Sequence, residues 1–105
     1  MARHLPKPVV TSPLAADLVA LGNVVRNRRR EQSMRIDDAA ALLGVSTAML
    51  SRMENGIPVG SDRMFRVLDG LGLNLFAIPK SETPKVFHAL QQHDIPGSSA
   101  EGGHA

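Results

Sequence analysis

Five arginines crowd a stretch of ten residues: Arg26, Arg28, Arg29, Arg30 and Arg35, opposed there by a single acid, Glu31. Such a cluster suits an anionic partner, and equally suits a helix C-terminus, where cations offset exposed carbonyls. A second concentration of chemistry lies at Thr47, Ala48, Ser51, Arg52 and Asn55. Helical spacing sets these small or hydrogen-bonding side chains opposite Leu50 and Met53. That face suits the major groove of DNA: small residues let a helix approach, and long polar ones reach base edges. Arg52 is the long cation of that face. Its plain alternative role is that of a solvated surface charge. Catalysis has no such support. There is no cysteine, and His4, His88, His93 and His104 fall outside the predicted core. His88 and His93 are five apart and share a helical face poorly. No paired carboxylates, Ser/His/Asp set or metal-ligand cluster falls on a rigid element. The expectation is a protein that is not an enzyme, with no cofactor and no metal.

The elements that must position these residues are short helices. The chain has 105 residues, 43% hydrophobic and 21% charged, with formal net charge +2. That is the length of one small domain with tails. Three Phe are its only aromatics, so the core must be aliphatic, as in packed helices. No apolar run approaches the roughly 18 residues of a membrane span. Met1 to Val10 holds two prolines and no apolar stretch, unlike a signal peptide. Cytoplasmic residence, at the nucleoid for a DNA-binding chain, is the default.

Residues 1–11 read as a flexible N-terminal arm. Ser12-Pro13 reads as a helix start, with Ser12 as N-cap. Leu14, Leu18, Leu21 and Val25 follow at helical spacing, to an end near Gln32. Gly22 inside this helix costs about 1 kcal/mol against Ala; it marks a close contact or a later true start. A second helix covers Ile36 to Leu43, with Ala39, Ala40 and Leu43 inward, and Gly44 ends it. Ser46 caps a third from Thr47 to about Asn55, which Asn55-Gly56 stops. Ser61 caps a fourth, about Asp62 to Leu71. Its predicted buried stripe is Phe65, Leu68 and Leu71, with Met64 and Val67 beside it. Two short helices around a glycine-containing turn outline a helix-turn-helix.

Leu73, Asn74, Leu75, Phe76, Ala77 and Ile78 then read as a lone strand, stopped by Pro79. A lone strand needs a partner, and a second copy across a two-fold axis is the simplest one. From Ser81 the character changes. Lys85 to Gln92 suits a short amphipathic segment through Val86, Phe87 and Leu90, a candidate partner-binding surface or one that packs back on the domain. Ser98 to Ala105 reads as disordered. The expected organisation is the arm at 1–11, a DNA-binding and dimerisation domain at 12–79, and a tail at 80–105.

The segments ALLGVS at 41–46 and LSRMENG at 50–56, with Leu71-Gly72-Leu73, resemble the Cro and phage-repressor (XRE-like) helix-turn-helix family. The likeness covers Leu21 to Leu71, about half the chain. GLGLNLFAIP at 70–79 looks most like antitoxins of the HipB type. The resemblance implies an all-α, lambda-repressor-like domain of four helices plus one C-terminal strand paired across the dimer. It also implies autorepression at an inverted-repeat operator in double-stranded DNA, and a HipA-like kinase toxin as partner. By position it places Thr47, Ala48, Ser51 and Arg52 on bases, and Ser46 and Asn55 on phosphates. Arg29 and Glu54 match a family ion pair between the first and third helices. Arg26 and Arg35 are further phosphate candidates, with solvated charges as the alternative for the arginine run. The family usually opens the second helix with Thr-Gln, where Gln helps anchor a phosphate; here Arg35 and Ile36 stand there, followed by Asp37 and Asp38. Other readings are an interaction module that sequesters a partner, or a stand-alone regulator with no toxin.

Overall fold

The computed structural model describes residues 12–93. The predicted arm at 1–11, the segment from Ser98, His4 and His104 lie outside them. Contacts group the chain into two units, the first ending at Leu75 and the second beginning at Phe76.

The first unit holds four helices. α1 spans Leu18–Glu31, α2 Ile36–Leu43, α3 Thr47–Glu54 and α4 Ser61–Gly70. The start of α1 corrects the expectation. Ser12 Oγ accepts from the Leu14 amide at 3.2 Å, a local turn with no helix behind it. The N-cap is Asp17, whose carboxylate accepts from the Ala20 amide at 2.8 Å. Asp and Ser cap about equally well, so what selects Asp17 is that the stripe packed on the core begins behind it, at Leu21. Leu14 and Leu18 consequently lie exposed, and the buried stripe begins at Leu21. At the other end Ser33 takes a left-handed conformation (φ 56°) and turns the chain toward α2.

α2 ends at Gly44, whose φ of +74° is open to glycine at little cost. Ser46 caps α3, its hydroxyl accepting from the Met49 amide at 3.0 Å. α4 begins one residue earlier than expected, with Gly60 rather than Ser61 at the cap position. It packs differently too. Val67, Leu68 and Leu71 are buried, Met64 is partly so, and Phe65 is 51% exposed. Met64, Val67, Leu68 and Leu71 stand at i, i+3, i+4 and i+7, the spacing of one helical face; Phe65 lies off it despite its size.

The core gathers one stripe from each helix: Leu21 and Val25, Ala39, Ala40 and Leu43, Leu50 and Met53, then Val67 and Leu68, with Leu71 closing it. The alanines let α2 approach its neighbours closely. α3 packs between α1 and α2, and α2 also meets α4. Ile36 packs partly against this core, which accounts for an apolar residue at the opening of α2.

No strand forms among the described residues, so residues 73–78 differ from expectation in the single chain. Strand hydrogen bonds need a neighbouring ladder, and the described residues supply none. The second unit is helical: a 3-10 turn at Lys80–Glu82 leads into α5, Thr83–His93. With α5 the described chain has five α-helices rather than four. Val86 and Leu90 on α5 are exposed and Phe87 is half-buried. No helix among the described residues is long and apolar enough to cross a membrane.

Candidate nucleic-acid interface

The geometry of α3 follows from its two faces. Leu50 and Met53 fix it in the core, so Thr47, Ala48 and Arg52 stand exposed on the other side and Ser51 half-exposed. Its N-terminal half borders an open groove of about 670 Å3. Ser46, Ala48, Met49 and Arg52 line it together with Pro58, Gly60 and Arg63. Arg52 and Arg63 therefore bring two exposed guanidinium groups to one groove. Arg66, on the same helix as Arg63, donates to the Gly44 carbonyl at 3.3 Å beside the turn.

Arg63 and Arg66 were absent from the expected site residues. Their signal was available: both are basic positions on the polar face of α4, outside the stripe of Met64, Val67 and Leu68. That Arg63 and Arg52 line one groove depends on how the loop at 57–60 joins α3 to α4, which periodicity does not report.

The arginine run divides into distinct roles. Arg29 is buried, and it grips the Glu54 carboxylate through Nε at 2.7 Å and Nη2 at 2.9 Å. Its Nη1 donates to the Met34 carbonyl at 3.0 Å. A fork-to-carboxylate pair of this kind is strong and directional. Arg26 approaches the same carboxylate, with Nε 3.4 Å from Oε1. Its Nη2 donates to the Glu54 carbonyl at 2.9 Å and to Asn55 Oδ1 at 3.0 Å. Arg28 donates to the Leu71 carbonyl at 2.7 Å and pairs with Glu31 at 3.2 Å. Arg35, largely exposed, lies 3.6 Å from Asp37. Three of the clustered arginines thus hold α1 to the ends of α3 and α4.

Asn55 completes the far end of α3. Its Nδ2 donates to the Ser51 carbonyl at 2.8 Å and sits 3.5 Å from Ser51 Oγ. α1 reaches this junction because Gly22 has no side chain; a Cβ there would stand 2.5 Å from the Met53 carbonyl oxygen.

The architecture is two helices around a glycine turn, with the second presenting a polar face beside a basic groove. A helix-turn-helix family model matches residues 25–78. No curated protein matches the chain. Domains of this family are DNA-binding parts of transcription regulators rather than catalytic ones. By this match over half its length, the chain belongs to the helix-turn-helix family, in its Cro and phage-repressor form.

Proposed function

We propose that this protein is a sequence-specific repressor that binds an inverted-repeat operator as a homodimer. We read it further as the antitoxin of a HipA-like kinase toxin, autoregulating its own operon in the cytoplasm. The observation that carries the DNA reading is the exposed face of α3 beside the groove shared by Arg52 and Arg63. In this reading Thr47, Ala48, Ser51 and Arg52 face bases, and Ser46, Asn55 and Arg35 face phosphates. Dimerisation is supported by the segment Leu73, Asn74, Leu75, Phe76, Ala77, Ile78. Phe76 is 79% exposed, and Leu75 and Ile78 are also open. Pairing this segment with its copy would cover apolar surface and supply the missing ladder. The toxin partner rests on the resemblance of residues 70–79 to HipB-type antitoxins.

The test is a footprint on DNA upstream of the protein's own gene at two salt concentrations. A two-fold symmetric protected site that weakens steeply with salt supports the dimeric autorepressor. No protection at low salt overturns it. Arg52→Ala is expected to weaken operator binding by about 1–3 kcal/mol and relax preference at one base pair per half-site; titration of single-base operator variants measures both.

A second reading, a module that sequesters a partner, is favoured by the exposed Val86 and Leu90 on α5, beside Phe87. Ending the chain after Lys80 is expected to abolish co-purification of a partner and leave operator affinity within about twofold. Loss of DNA binding at unchanged dimerisation would remove the tail from this role.

A further inference from the structure

Gly22, Arg26 and Arg29 stand at i, i+4 and i+7 on α1, one helical face, and all three meet the C-terminal end of α3. Arg29 takes up the Glu54 carboxylate in a two-point grip. Arg26 extends past it to the main chain and to Asn55. A guanidinium has donors only, so whatever Arg26 bonds must present an acceptor. Facing it, the Asn55 amide has to turn Oδ1 inward and Nδ2 away. The Ser51 carbonyl, an acceptor 2.8 Å from Nδ2, enforces the same orientation from the other side. Nδ2 bonds the Ser51 carbonyl at 2.8 Å and, at the long limit of 3.5 Å, Ser51 Oγ, so its second N–H would leave only that weak contact to reach a phosphate.

We propose that Arg26 is a positioning residue for DNA recognition: it holds the Asn55 amide so that the end of α3 offers an N–H, not an oxygen, to a phosphate. This rests on the DNA-binding reading above, and replaces direct phosphate contact as the role of Arg26. A phosphate oxygen accepts hydrogen bonds and repels another acceptor, so the amide orientation sets the sign of the contact. Gly22 allows the helices to approach closely enough for the arginine to span Glu54 and Asn55.

The experiment uses the full-length protein and a duplex that the wild-type protein selects from a randomised pool. Arg26→Ala is expected to weaken binding about tenfold, as for loss of a charge-assisted hydrogen bond. The slope of log affinity against log salt stays as in the wild type, because no phosphate-neutralising cation is lost. Arg26→Lys, which keeps the charge but not the planar fork, is expected to weaken binding similarly. With Asn55→Ala as background, Arg26→Ala adds little. A slope reduced by about 0.9 in Arg26→Ala and restored in Arg26→Lys would make Arg26 a phosphate contact and overturn the proposal. So would additive losses in the double variant.

A DNA-free arm separates the two readings. In the free wild-type protein the two Asn55 side-chain amide protons should give distinct, slowly exchanging NMR signals, which collapse toward ordinary exposed values in Arg26→Ala. Signals unchanged by the substitution overturn the positioning role. A wild-type protein that selects no duplex overturns the proposed function, and the amide signals then decide the positioning alone.

Discussion

Glu54→Gln is expected to destabilise the domain by about 3–5 kcal/mol, the range for stranding one member of a buried ion pair. The carboxylate answers two guanidinium groups, Arg29 at 2.7 and 2.9 Å and Arg26 at 3.4 Å. Glutamine keeps the shape but turns an NH2 toward one of them, donor against donor, and removes the negative charge between them. Arg29 is 7% exposed and cannot turn out to water. Thermal unfolding measures the effect, a fall in Tm on the order of 20 °C for a domain of this size. The double variant Arg29→Met with Glu54→Leu should be more stable than either single one, because no buried charge is left behind. A Glu54→Gln protein melting within about 2 °C of the wild type would remove the pair from any part in holding α1 to α3.

Gly22→Ala tests the same junction from the backbone side. Helix propensity alone predicts stabilisation by about 1 kcal/mol, since alanine is the better helix former. The packing predicts the opposite sign. The new methyl would meet the Met53 and Glu54 carbonyl oxygens at 2.5 and 2.6 Å. These are main-chain atoms at the end of α3, with no rotamer to give way. The helices must separate, at a cost of about 3 kcal/mol, the upper part of the usual range for overpacking. Separation also draws Arg26 and Arg29 away from Glu54 and Asn55, so operator affinity should fall along with Tm. Gly70→Ala is the comparison: its Cβ would crowd the Leu43 side chain, which can rotate. A Gly22→Ala protein at least as stable as the wild type would show that the junction yields easily.

Much of this was legible in the residues because the signals are local. Gly44 ends α2 since one residue must adopt positive φ; Ser46 starts α3 since a hydroxyl can serve the first-turn amides. Leu50 and Met53 against Thr47, Ala48, Ser51 and Arg52 distinguish the two faces of α3 by spacing alone. The start of α1 was misread because Ser12-Pro13 and Asp17 are both acceptable openings, and only Asp17 has a helix packed behind it. Phe65, expected in the buried stripe of α4, is exposed because register and not size decides which face packs. The strand expected at residues 73–78 is the opposite case, a local preference that the described residues leave without a hydrogen-bonding neighbour.

The arginines mark the boundary most sharply. Along the chain Arg26, Arg28, Arg29 and Arg30 are one basic run, in which only the family resemblance singles out Arg29, as the partner of Glu54. In the fold one is buried on a carboxylate, one spans Glu54 and Asn55, and one ties α1 to the Leu71 carbonyl. Gly22 was a mark of either a contact or a helix start until α3 was seen against it. Caps, turns and helical faces come from interactions within about four residues, which sequence order carries directly. The partner of each of these three arginines at the end of α3 or α4 lies 25 to 43 residues away. It is set by how four helices share one core, and no spacing along the chain encodes that distance.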